Sequence, residues 1–423
     1  MSATLLSAIA EVVGERHAFD DPDLTAGYET DWTGRWTGKA RVVVRPGSVE
    51  EVAGVVSRCA AEGSALVPQG GNTGLVGGGV PRDAVLLSLA RLDGLGAHDA
   101  ALGQVRVGAG VPLARLRDAV PDPGLDFGAR DSATVGGIVA CDAGGARALR
   151  WGTARARVAG VEAVLADGSI VSSSGLLKDN AGYDLAQLLV GSEGTLGVIT
   201  AVHWKTVPRL RHRVAALIPV ADVDAAVAVL AALRGPHLEA CDFFTAACVP
   251  HLDDAPLHLL AEFAADHDPV EEMAERLGDH EARIADDTAS RERLWAMREG
   301  IPDHVQSLGT PVKLDVGVPL DRLGAFLSAV PDVCGDATPL LFGHLGDGNV
   351  HVNLVGDADA DAVLGLVIDL GGTISAEHGI GVAKTAWLER SVGTEAYAAM
   401  RAIKRALDPD GLLNPGVIFG NAE

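Results

Sequence analysis

One stretch of the chain reads Leu341-Phe342-Gly343-His344-Leu345-Gly346-Asp347-Gly348-Asn349-Val350-His351-Val352-Asn353-Leu354, with a glycine-rich polar centre between two apolar segments. Gly346 to Asn349 suit the tight turn of a β-hairpin. With the turn at these residues, His344 faces His351 on the opposite strand. Directly opposed Cβ atoms lie roughly 4.5–5.5 Å apart, so the two imidazoles can chelate one metal ion.

Asn353 strengthens the case for a site, because it lies two residues after His351 and projects from the same face of the strand. The alternative is a surface hairpin that polar histidines merely flank, which would be the better interpretation of a single histidine. A cross-strand pair together with Asn353, inside an otherwise apolar sequence, favours a functional site.

A third metal ligand can come from residues 371–381, which contain Glu377 and His378 between glycines. Adjacent residues rarely point the same way, so one of the two can bind metal while the other faces a substrate. The glycines leave space for a ligand to approach the backbone. The alternative is a charged residue and a histidine in a solvated loop.

The composition is that of a soluble globular protein, with 423 residues, of which 48% are hydrophobic and 22% charged. A chain of this length is expected to form two or more domains. The net charge of −23 argues against nucleic acid or an anionic membrane as a partner, so an anionic substrate must be held by a few local cations. No uncharged apolar run of about 18 residues occurs, and no transmembrane segment is predicted.

The five cysteines indicate a reducing compartment. They are scattered and form no CxxC pair, which fits free thiols in a cytoplasm. Residues 1–14 are amphipathic and lack the basic start of a secretory signal. We therefore expect a cytoplasmic protein.

A β-α-β unit opens the first domain, with a strand at residues 40–44, a helix from about Val49 to Ala61 capped by Ser48, and a strand at residues 65–68. It leads into Gln69–Gly79, where six of eleven residues are glycine. Such a loop exposes backbone N–H groups that bind phosphate oxygens. It lacks the Lys-Ser/Thr pair of a Walker loop, which argues against nucleoside triphosphate chemistry.

Two more glycine-rich blocks follow, at Phe127–Gly152 and Gly191–Thr200, with a predicted hairpin around Asp167-Gly168 between them. Three blocks within about 130 residues predict one extended, phosphate-bearing cofactor that crosses several loops. Each block taken singly is equally consistent with a set of tight turns.

After Pro208 the sequence predicts a second α+β unit that continues to about residue 370. It contains the histidine hairpin, Arg298 and Lys313. Arg298 on a helix is most often a solvated charge. Lys313, flanked by apolar residues on a predicted strand, is harder to explain in that way.

Six motifs together carry a likeness to a known family: Pro68–Gly79, Asp131–Gly137, Gly191–Thr200, His344–Asn353, Glu377–Gly381 and Leu413–Gly416. The chain resembles flavoproteins of the vanillyl-alcohol oxidase/p-cresol methylhydroxylase superfamily, in the branch of D-2-hydroxyglutarate dehydrogenase, D-lactate dehydrogenase and glycolate oxidase subunits. The resemblance implies an α+β fold with a two-subdomain FAD-binding domain (1–209), an α+β cap domain for substrate and metal (210–370), and a C-terminal segment that completes the flavin site (371–423).

The resemblance also implies non-covalent FAD, because the histidine that tethers FAD in some relatives is missing from the first glycine loop. Gln69 to Thr73 would hold the pyrophosphate, and Asn414 would lie near the isoalloxazine ring. The implied cofactor-binding residues are Pro68, Gln69, Gly70, Gly71, Asn72, Thr73, Gly74, Ser132, Thr134, Gly136, Gly137, Glu193, Gly194, Ile199 and Asn414.

In the metal-dependent branch of this family, the resemblance assigns His344, His351 and Glu377 to a divalent ion, with zinc expected. Two imidazoles and a carboxylate also suit manganese, iron or cobalt. His378 matches the proposed base, which can accept a hydroxyl proton near neutral pH.

The same resemblance makes Asn353 a substrate contact and Arg298 and Lys313 the cations that bind the substrate carboxylate. Pro302 departs from the family pattern, since the hydroxyglutarate enzymes carry threonine at that place. The departure lessens the case for hydroxyglutarate over D-lactate or another D-2-hydroxyacid.

We therefore expect an FAD-dependent, metal-assisted dehydrogenase that oxidises a D-2-hydroxyacid to the 2-oxoacid by hydride transfer to flavin N5. The alternatives are a zinc hydrolase that uses the same ligands to activate water, and a flavin- or metal-binding module without catalysis. Oxygen, a quinone, a cytochrome and an electron-transfer flavoprotein all remain open as electron acceptors, and the chain could form a homodimer.

Overall fold

The computed structural model describes residues 2–252 and 254–420. The chain divides into two compact units, and each is built from more than one segment. The first unit comprises residues 1–143, 153–207 and 378–423, and the second comprises residues 144–152 and 208–377. Both units mix helices and sheets, which confirms the α+β class. The division into three functional domains stays a prediction.

Fifteen strands occur among the described residues, and they are β1 Ala18–Phe19, β2 Lys39–Val44, β3 Leu66–Gln69, β4 Arg82–Ser88, β5 Gln104–Gly108, β6 Val158–Val164, β7 Ile170–Ser172, β8 Val198–Lys205, β9 His212–Val220, β10 Leu238–Thr245, β11 Leu257–Ala265, β12 Arg283–Ala285, β13 Val312–Gly317, β14 Thr338–His344 and β15 Asn349–Val355.

The described α-helices are α1 Ser2–Val13, α2 Pro22–Glu29, α3 Val49–Ala61, α4 Leu113–Ala119, α5 Val135–Cys141, α6 Ala148–Trp151, α7 Ala154–Arg157, α8 Leu185–Leu189, α9 Val223–Leu233, α10 Val270–Leu277, α11 Thr288–Glu299, α12 Ile301–Ser307, α13 Leu320–Val333, α14 Ala360–Asp369, α15 Thr385–Val392 and α16 Thr394–Leu407. Within the described residues, no helix is both long and apolar enough to span a bilayer.

The first unit contains two four-stranded sheets, with the orders β1-β2-β4-β3 and β5-β8-β6-β7. The predicted β-α-β order is confirmed, and β4 pairs in parallel with both β2 and β3. Ser48 caps α3 as expected, because its Oγ accepts a hydrogen bond from the N–H of Glu51 at 3.3 Å. The hairpin of β6 and β7 also forms as predicted.

The second unit is built on one seven-stranded sheet, with the order β12-β9-β11-β10-β14-β15-β13 and antiparallel pairing throughout. Helices α11 and α12 pack on one face of this sheet through an apolar cluster that includes Ile301, Val305, Leu340 and Phe342. This packing lets Arg298, near the end of α11, reach Asp242 of β10 and Phe342 of β14.

The histidine hairpin differs from its prediction by one residue. The turn comprises residues 345–348, so His344 pairs with Asn349 and Phe342 pairs with His351. The predicted direct pairing of the two histidines is therefore wrong. Asn349 belongs to β15 because its Nδ2 donates hydrogen bonds to Asp315 Oδ1 at 2.7 Å and to the carbonyl oxygen of Val316 at 3.2 Å.

The two histidines nevertheless share one face of the sheet. His351 lies two residues after Asn349, the partner of His344, and alternate residues of a strand project to the same side. The ring centroids of His344 and His351 are 5.3 Å apart. The two histidines therefore lie on the same face, as predicted, although the predicted register of the hairpin was wrong.

The C-terminal segment of the chain completes the first unit. The N–H of Leu66 in β3 donates to the carbonyl oxygen of Leu412, and the N–H of Asn414 donates back to Leu66, both at 2.8 Å. Lys404 Nζ donates to the carbonyl oxygens of Thr195 and Leu413, each at 2.8 Å, and it also contacts the Asp408 carboxylate.

Asp408 should be a stabilising residue of this segment, because its buried carboxylate also accepts the N–H groups of Leu412 and Leu413 at 2.9 and 2.8 Å. We expect Asp408→Asn to lower the free energy of unfolding by about 3 kcal/mol, since it leaves the Lys404 ammonium buried without its counter-ion. Urea-induced unfolding measures the effect.

The control for this change is Asp410→Asn, which alters an exposed aspartate two residues away. It should leave the unfolding midpoint at the wild-type value. Equal midpoints for both variants would contradict the stabilising role of Asp408.

Candidate active site

The three glycine-rich blocks meet within the first unit. A Cβ on Gly71 would lie 1.8 Å from the carbonyl oxygen of Ser132, and one on Gly70 would lie 2.3 Å from Thr134 Oγ1. A Cβ on Gly194 would approach Pro68 Cγ to 2.8 Å. The blocks therefore pack so closely that side chains are excluded from these positions.

Two polar side chains hold the first glycine loop in shape. Gln69 Nε2 donates to the carbonyl oxygens of Tyr28 and Gly79, both at 2.9 Å, and Asn72 Nδ2 donates to that of Thr30 at 2.8 Å. Among the described residues, nothing accepts a hydrogen bond from the N–H groups of residues 71–73. Those N–H groups are the natural donors to phosphate oxygens, while the two side chains have a supporting role.

Buried oxygens in these blocks and in Asn414 of the C-terminal segment also indicate a polar ligand. Thr134 Oγ1, Ser192 Oγ and Asn414 Oδ1 have no hydrogen-bond partner within the part of the chain that the structure describes. Buried polar atoms are normally satisfied, so a ligand that can donate to them is expected here. The glycine packing, the backbone donors and these oxygens fit a flavin dinucleotide such as FAD.

Other predicted cofactor residues of the later blocks lie on α5 and β8. Thr134 is the N-cap residue of α5, and Gly136 and Gly137 occupy its first turn. Ile199 is a core residue of β8, 4% exposed. Only its backbone is therefore suited to contact a cofactor.

Glu193 and Asn414 connect the blocks to the C-terminal segment. Asn414 Nδ2 donates to the carbonyl oxygens of Gly78 and Glu193 at 3.0 and 2.7 Å. The Glu193 carboxylate accepts the N–H groups of Ile380 and Gly381 at 2.7 and 2.8 Å. Burial raises the pKa of Glu193 in spite of these two donors.

A separate set of polar side chains lies in the second unit, on the sheet face against which α11 packs. Strand pairing brings them together, since Asp242 is opposite His344, Asp315 is opposite His351, and Lys313 is opposite Asn353. We call these six residues the polar face. The face unites the predicted metal and substrate residues of the three strands.

Three donors of metal-ligand type meet at the polar face. The ligand atoms of His344, His351 and Glu377 all lie within 4.8 Å of one another, and His344 Nε2 is 3.8 Å from Glu377 Oε1. Each imidazole has a carboxylate at Nδ1: Asp242 lies 2.7 Å from that of His344, and Asp315 lies 3.3 Å from that of His351. Such partners leave Nε2 as the metal-binding atom, so the set fits a divalent ion.

Burial shifts the titration of all three donors. It lowers the pKa of His351 to about 4 and raises the pKa of Glu377. Burial also acts to lower the pKa of His344, but the neighbouring Asp242 carboxylate outweighs it and raises the value to about 9. Opposed shifts of this kind are typical of functional clusters.

Glu377 is brought to the histidines by its backbone. Asp315 Oδ2 accepts the N–H groups of Ala376 and Glu377 at 3.2 and 2.7 Å. The space for the Glu377 side chain depends on Gly144, where a Cβ would lie 2.6 Å from Glu377 Oε1. Segment 144–152 is itself fixed to β10, because Trp151 Nε1 donates to Glu239 Oε1 at 2.7 Å.

Arg298 and Lys313 are the cations of this region. Arg298 is 8% exposed, its Nε donates to Asp242 Oδ2 at 2.8 Å, and its Cζ lies 4.5 Å from the ring centroid of Phe342. Neither Nη atom of Arg298 donates to another described residue, so a carboxylate could take both. Burial lowers the pKa of Lys313. Asn353, 5% exposed, lies between β13 and β14.

His378 directly follows Glu377 in the chain, is half-buried, and begins the last segment of the first unit. Its assignment as the base stays a prediction. Sequence reasoning gave no role to Asp242 or Asp315, the partners of the two imidazoles. Each is a carboxylate inside an otherwise apolar strand, and this is the signal that could have identified it.

Two family descriptions match the chain. The FAD binding domain matches residues 40–174, and the C-terminal domain of FAD linked oxidases matches residues 207–418. The chain is 36% identical to a D-2-hydroxyglutarate dehydrogenase of Xanthomonas citri pv. viticola, over 93% of this chain and 92% of that protein. It is 37% identical to the mitochondrial D-2-hydroxyglutarate dehydrogenase of Bos taurus, over 97% of this chain and 82% of that protein.

Solved structures show the same fold at low sequence identity. The structure of p-cresol methylhydroxylase with substrate bound gives a TM-score of 0.78 at 16% identity, over 99% of this chain and 97% of that chain. Alkyldihydroxyacetonephosphate synthase gives a TM-score of 0.76 at 16% identity, over 98% of this chain and 84% of that chain.

Gly71→Ala should disrupt FAD binding, because the new Cβ would collide with the backbone of Ser132 and displace the first glycine loop. We expect the Kd for FAD to rise at least roughly tenfold, which corresponds to a loss of about 1.4 kcal/mol or more of binding free energy. Fluorescence titration of the apoprotein with FAD measures the change.

Gly94→Ala is the matched control, since a Cβ there would have no atom within 4 Å. It should bind FAD as the wild type does. Wild-type affinity in a folded Gly71→Ala variant would show that the close packing of the blocks does not shape the FAD site.

Proposed function

We propose that this chain, which belongs to the FAD-linked oxidases of the vanillyl-alcohol oxidase/p-cresol methylhydroxylase superfamily, oxidises a D-2-hydroxyacid to the 2-oxoacid with the help of a divalent metal ion. D-2-Hydroxyglutarate is the first candidate substrate, because curated relatives above 30% identity carry its name. D-Lactate is the second, since Pro302 departs from the family's threonine.

One observation carries the proposal: the three metal-type donors lie within 4.8 Å of one another at a sheet face that also carries Lys313, and Arg298 bonds to Asp242 of that face. A 2-hydroxyacid offers a hydroxyl group on the carbon next to a carboxylate. His344, His351 and Glu377 would hold a metal ion for the hydroxyl group, while Arg298 and Lys313 would bind the carboxylate. The chemistry of the donors and of the cations thus suits the two functional groups of this substrate class.

When bound, FAD would supply the hydride acceptor and a divalent ion would increase the acidity of the hydroxyl group. The chain supplies binding, orientation and a proton acceptor. Arg298 can grip a carboxylate with two parallel N–H groups, and Lys313 adds a point charge. His378 accepts the hydroxyl proton on an imidazole nitrogen, and Asn353 fixes the substrate by its amide.

The proposal also covers the state of the cofactors, the cellular location, the electron acceptor and the assembly. We propose non-covalent FAD, supported by a first glycine loop without histidine, and zinc as the ion. A cytoplasmic location is supported by five cysteines that form no disulfide. A quinone, a cytochrome or an electron-transfer flavoprotein is proposed as the acceptor, and a homodimer as the assembly.

A substrate screen tests the proposal directly. The purified protein, supplied with FAD and zinc, should show flavin absorption that bleaches anaerobically on addition of D-2-hydroxyglutarate or D-lactate, but not of their L-enantiomers. A colourless protein, or one that no D-2-hydroxyacid reduces, would refute it.

Metal removal separates the roles of the two cofactors. Dialysis against a chelator should abolish reduction by the hydroxyacid while the flavin spectrum persists, because the metal ligands and the glycine blocks are different residues. Adding zinc, manganese or cobalt back should restore turnover. Undiminished turnover of a protein shown by elemental analysis to be metal-free would eliminate the metal from the proposal.

His378→Gln tests the base. We expect kcat to fall by about 10²–10⁴-fold, the usual contribution of a general base, with FAD and metal content unchanged. The control is His280→Gln, which alters an exposed histidine and should retain wild-type kcat. Full turnover by His378→Gln would assign the proton transfer to another group.

A further inference from the structure

Asp242 touches both halves of the polar face. Its Oδ1 lies 2.7 Å from His344 Nδ1, and its Oδ2 lies 2.8 Å from Arg298 Nε. We propose that Asp242 is a positioning residue that couples metal binding at His344 to carboxylate binding at Arg298. This inference rests on the proposed function, in which His344 is a metal ligand and Arg298 binds the substrate.

On the metal side, Asp242 fixes the state of the imidazole. A carboxylate at Nδ1 holds a proton there, so when His344 gives up its other proton to bind an ion, the lone pair is on Nε2, the atom that faces Glu377 at 3.8 Å. The pairing of Asp242 with His344 across β10 and β14 fixes the distance between the two side chains. The ring is therefore aimed by the sheet and needs no ordering when an ion arrives.

On the substrate side, Asp242 fixes the guanidinium. Arg298 comes from α11 and is held between the Asp242 carboxylate and the ring of Phe342. Because the carboxylate takes Nε, the two Nη groups are the donors directed elsewhere. A planar guanidinium held at Nε and at its face has little rotational freedom, which suits it to bidentate binding of a substrate carboxylate.

The coupling follows from the sharing of one side chain. Asp242 is 1% exposed, so it cannot turn to solvent when one partner moves. An ion on Nε2 strengthens the Nδ1–H donor and draws the Asp242 negative charge toward the imidazole, which leaves more of the Arg298 positive charge for a substrate carboxylate. By thermodynamic reciprocity, a carboxylate ligand on Arg298 must favour the metal to the same extent.

The experiment measures Zn²⁺ affinity of the FAD-loaded full chain by calorimetry, with and without saturating 2-oxoglutarate, and the KM for the hydroxyacid at saturating Zn²⁺. Asp242→Asn keeps the size of the side chain but offers only one carbonyl acceptor. We expect it to weaken Zn²⁺ binding about 10–100-fold, to raise KM, and to reduce the effect of 2-oxoglutarate on Zn²⁺ affinity to the part that comes from its oxo oxygen meeting the ion directly.

The control is Asp254→Asn, which removes the carboxylate 2.7 Å from the imidazole of His258 in the same unit. Neither residue belongs to the polar face, so Zn²⁺ affinity, KM and the 2-oxoglutarate effect should be those of the wild type. An Asp242→Asn variant that only lowers Tm, with these three quantities intact, would reduce Asp242 to a structural role and overturn the proposal.

A second measurement needs no variant. The ¹⁵N spectrum of the Zn²⁺-loaded wild type should show His344 protonated at Nδ1 and metal-bound at Nε2, and metal on Nδ1 would overturn the proposal even if Asp242→Asn fails to fold. These binding data are independent of turnover. A protein that shows the coupling but oxidises no hydroxyacid would refute the proposed reaction alone, whereas a protein that binds no Zn²⁺ would refute the metal site and this inference together.

Discussion

A carboxylate inside a protein must be matched by hydrogen-bond donors, and this requirement organises the second unit. Asp242 and Asp315 are each 1% exposed and lie on strands with apolar neighbours. Removing one partner of such a group leaves a buried charge unmatched, at a cost of about 3–5 kcal/mol. The imidazoles and N–H groups around these two residues are therefore held in place by the stability of the unit itself, before any ligand binds.

The first unit solves a different problem with different means. A dinucleotide carries phosphates along an extended path, and backbone N–H groups reach it best where no side chain intervenes. Gly70 and Gly71 permit that approach, while the side-chain amides of Gln69 and Asn72 donate hydrogen bonds to neighbouring backbone carbonyl oxygens. One unit is thus specialised in backbone donors and the other in charged side chains, in agreement with the chemistry of a cofactor and of a small acid.

Local patterns in the sequence predicted much of this structure. Ser48 was sufficient to place the start of α3, because an N-cap side chain satisfies N–H groups of its own helix. The register of the hairpin could not be found in the same way. It depends on Asn349, whose amide bonds to Asp315 on a strand more than 30 positions earlier, and no local rule contains that contact.

The sequence predicted the types of residue in the site but not the contacts between them. Strand alternation alone places His351 and Asn353 on one face. The roles of Asp242 and Arg298 depend on a sheet order in which β10 lies next to β14, and on the end of α11, where Arg298 contacts Asp242 of β10 and Phe342 of β14. Contacts between residues so far apart in the sequence are determined by tertiary packing. The likeness to a flavoprotein family supplied the residue roles that periodicity could not.

The hydrogen bonds between Leu66 and residues 412 and 414 have a consequence for biosynthesis. A ribosome releases β3 long before the strand-like segment that pairs with it, so the first unit cannot reach its native state until residue 414 has emerged. Residues 208–377 are continuous and have their own sheet. Folding during synthesis should therefore begin with the second unit, in the middle of the chain. The first unit should fold last, and its contacts between residues far apart in sequence should make that folding slow.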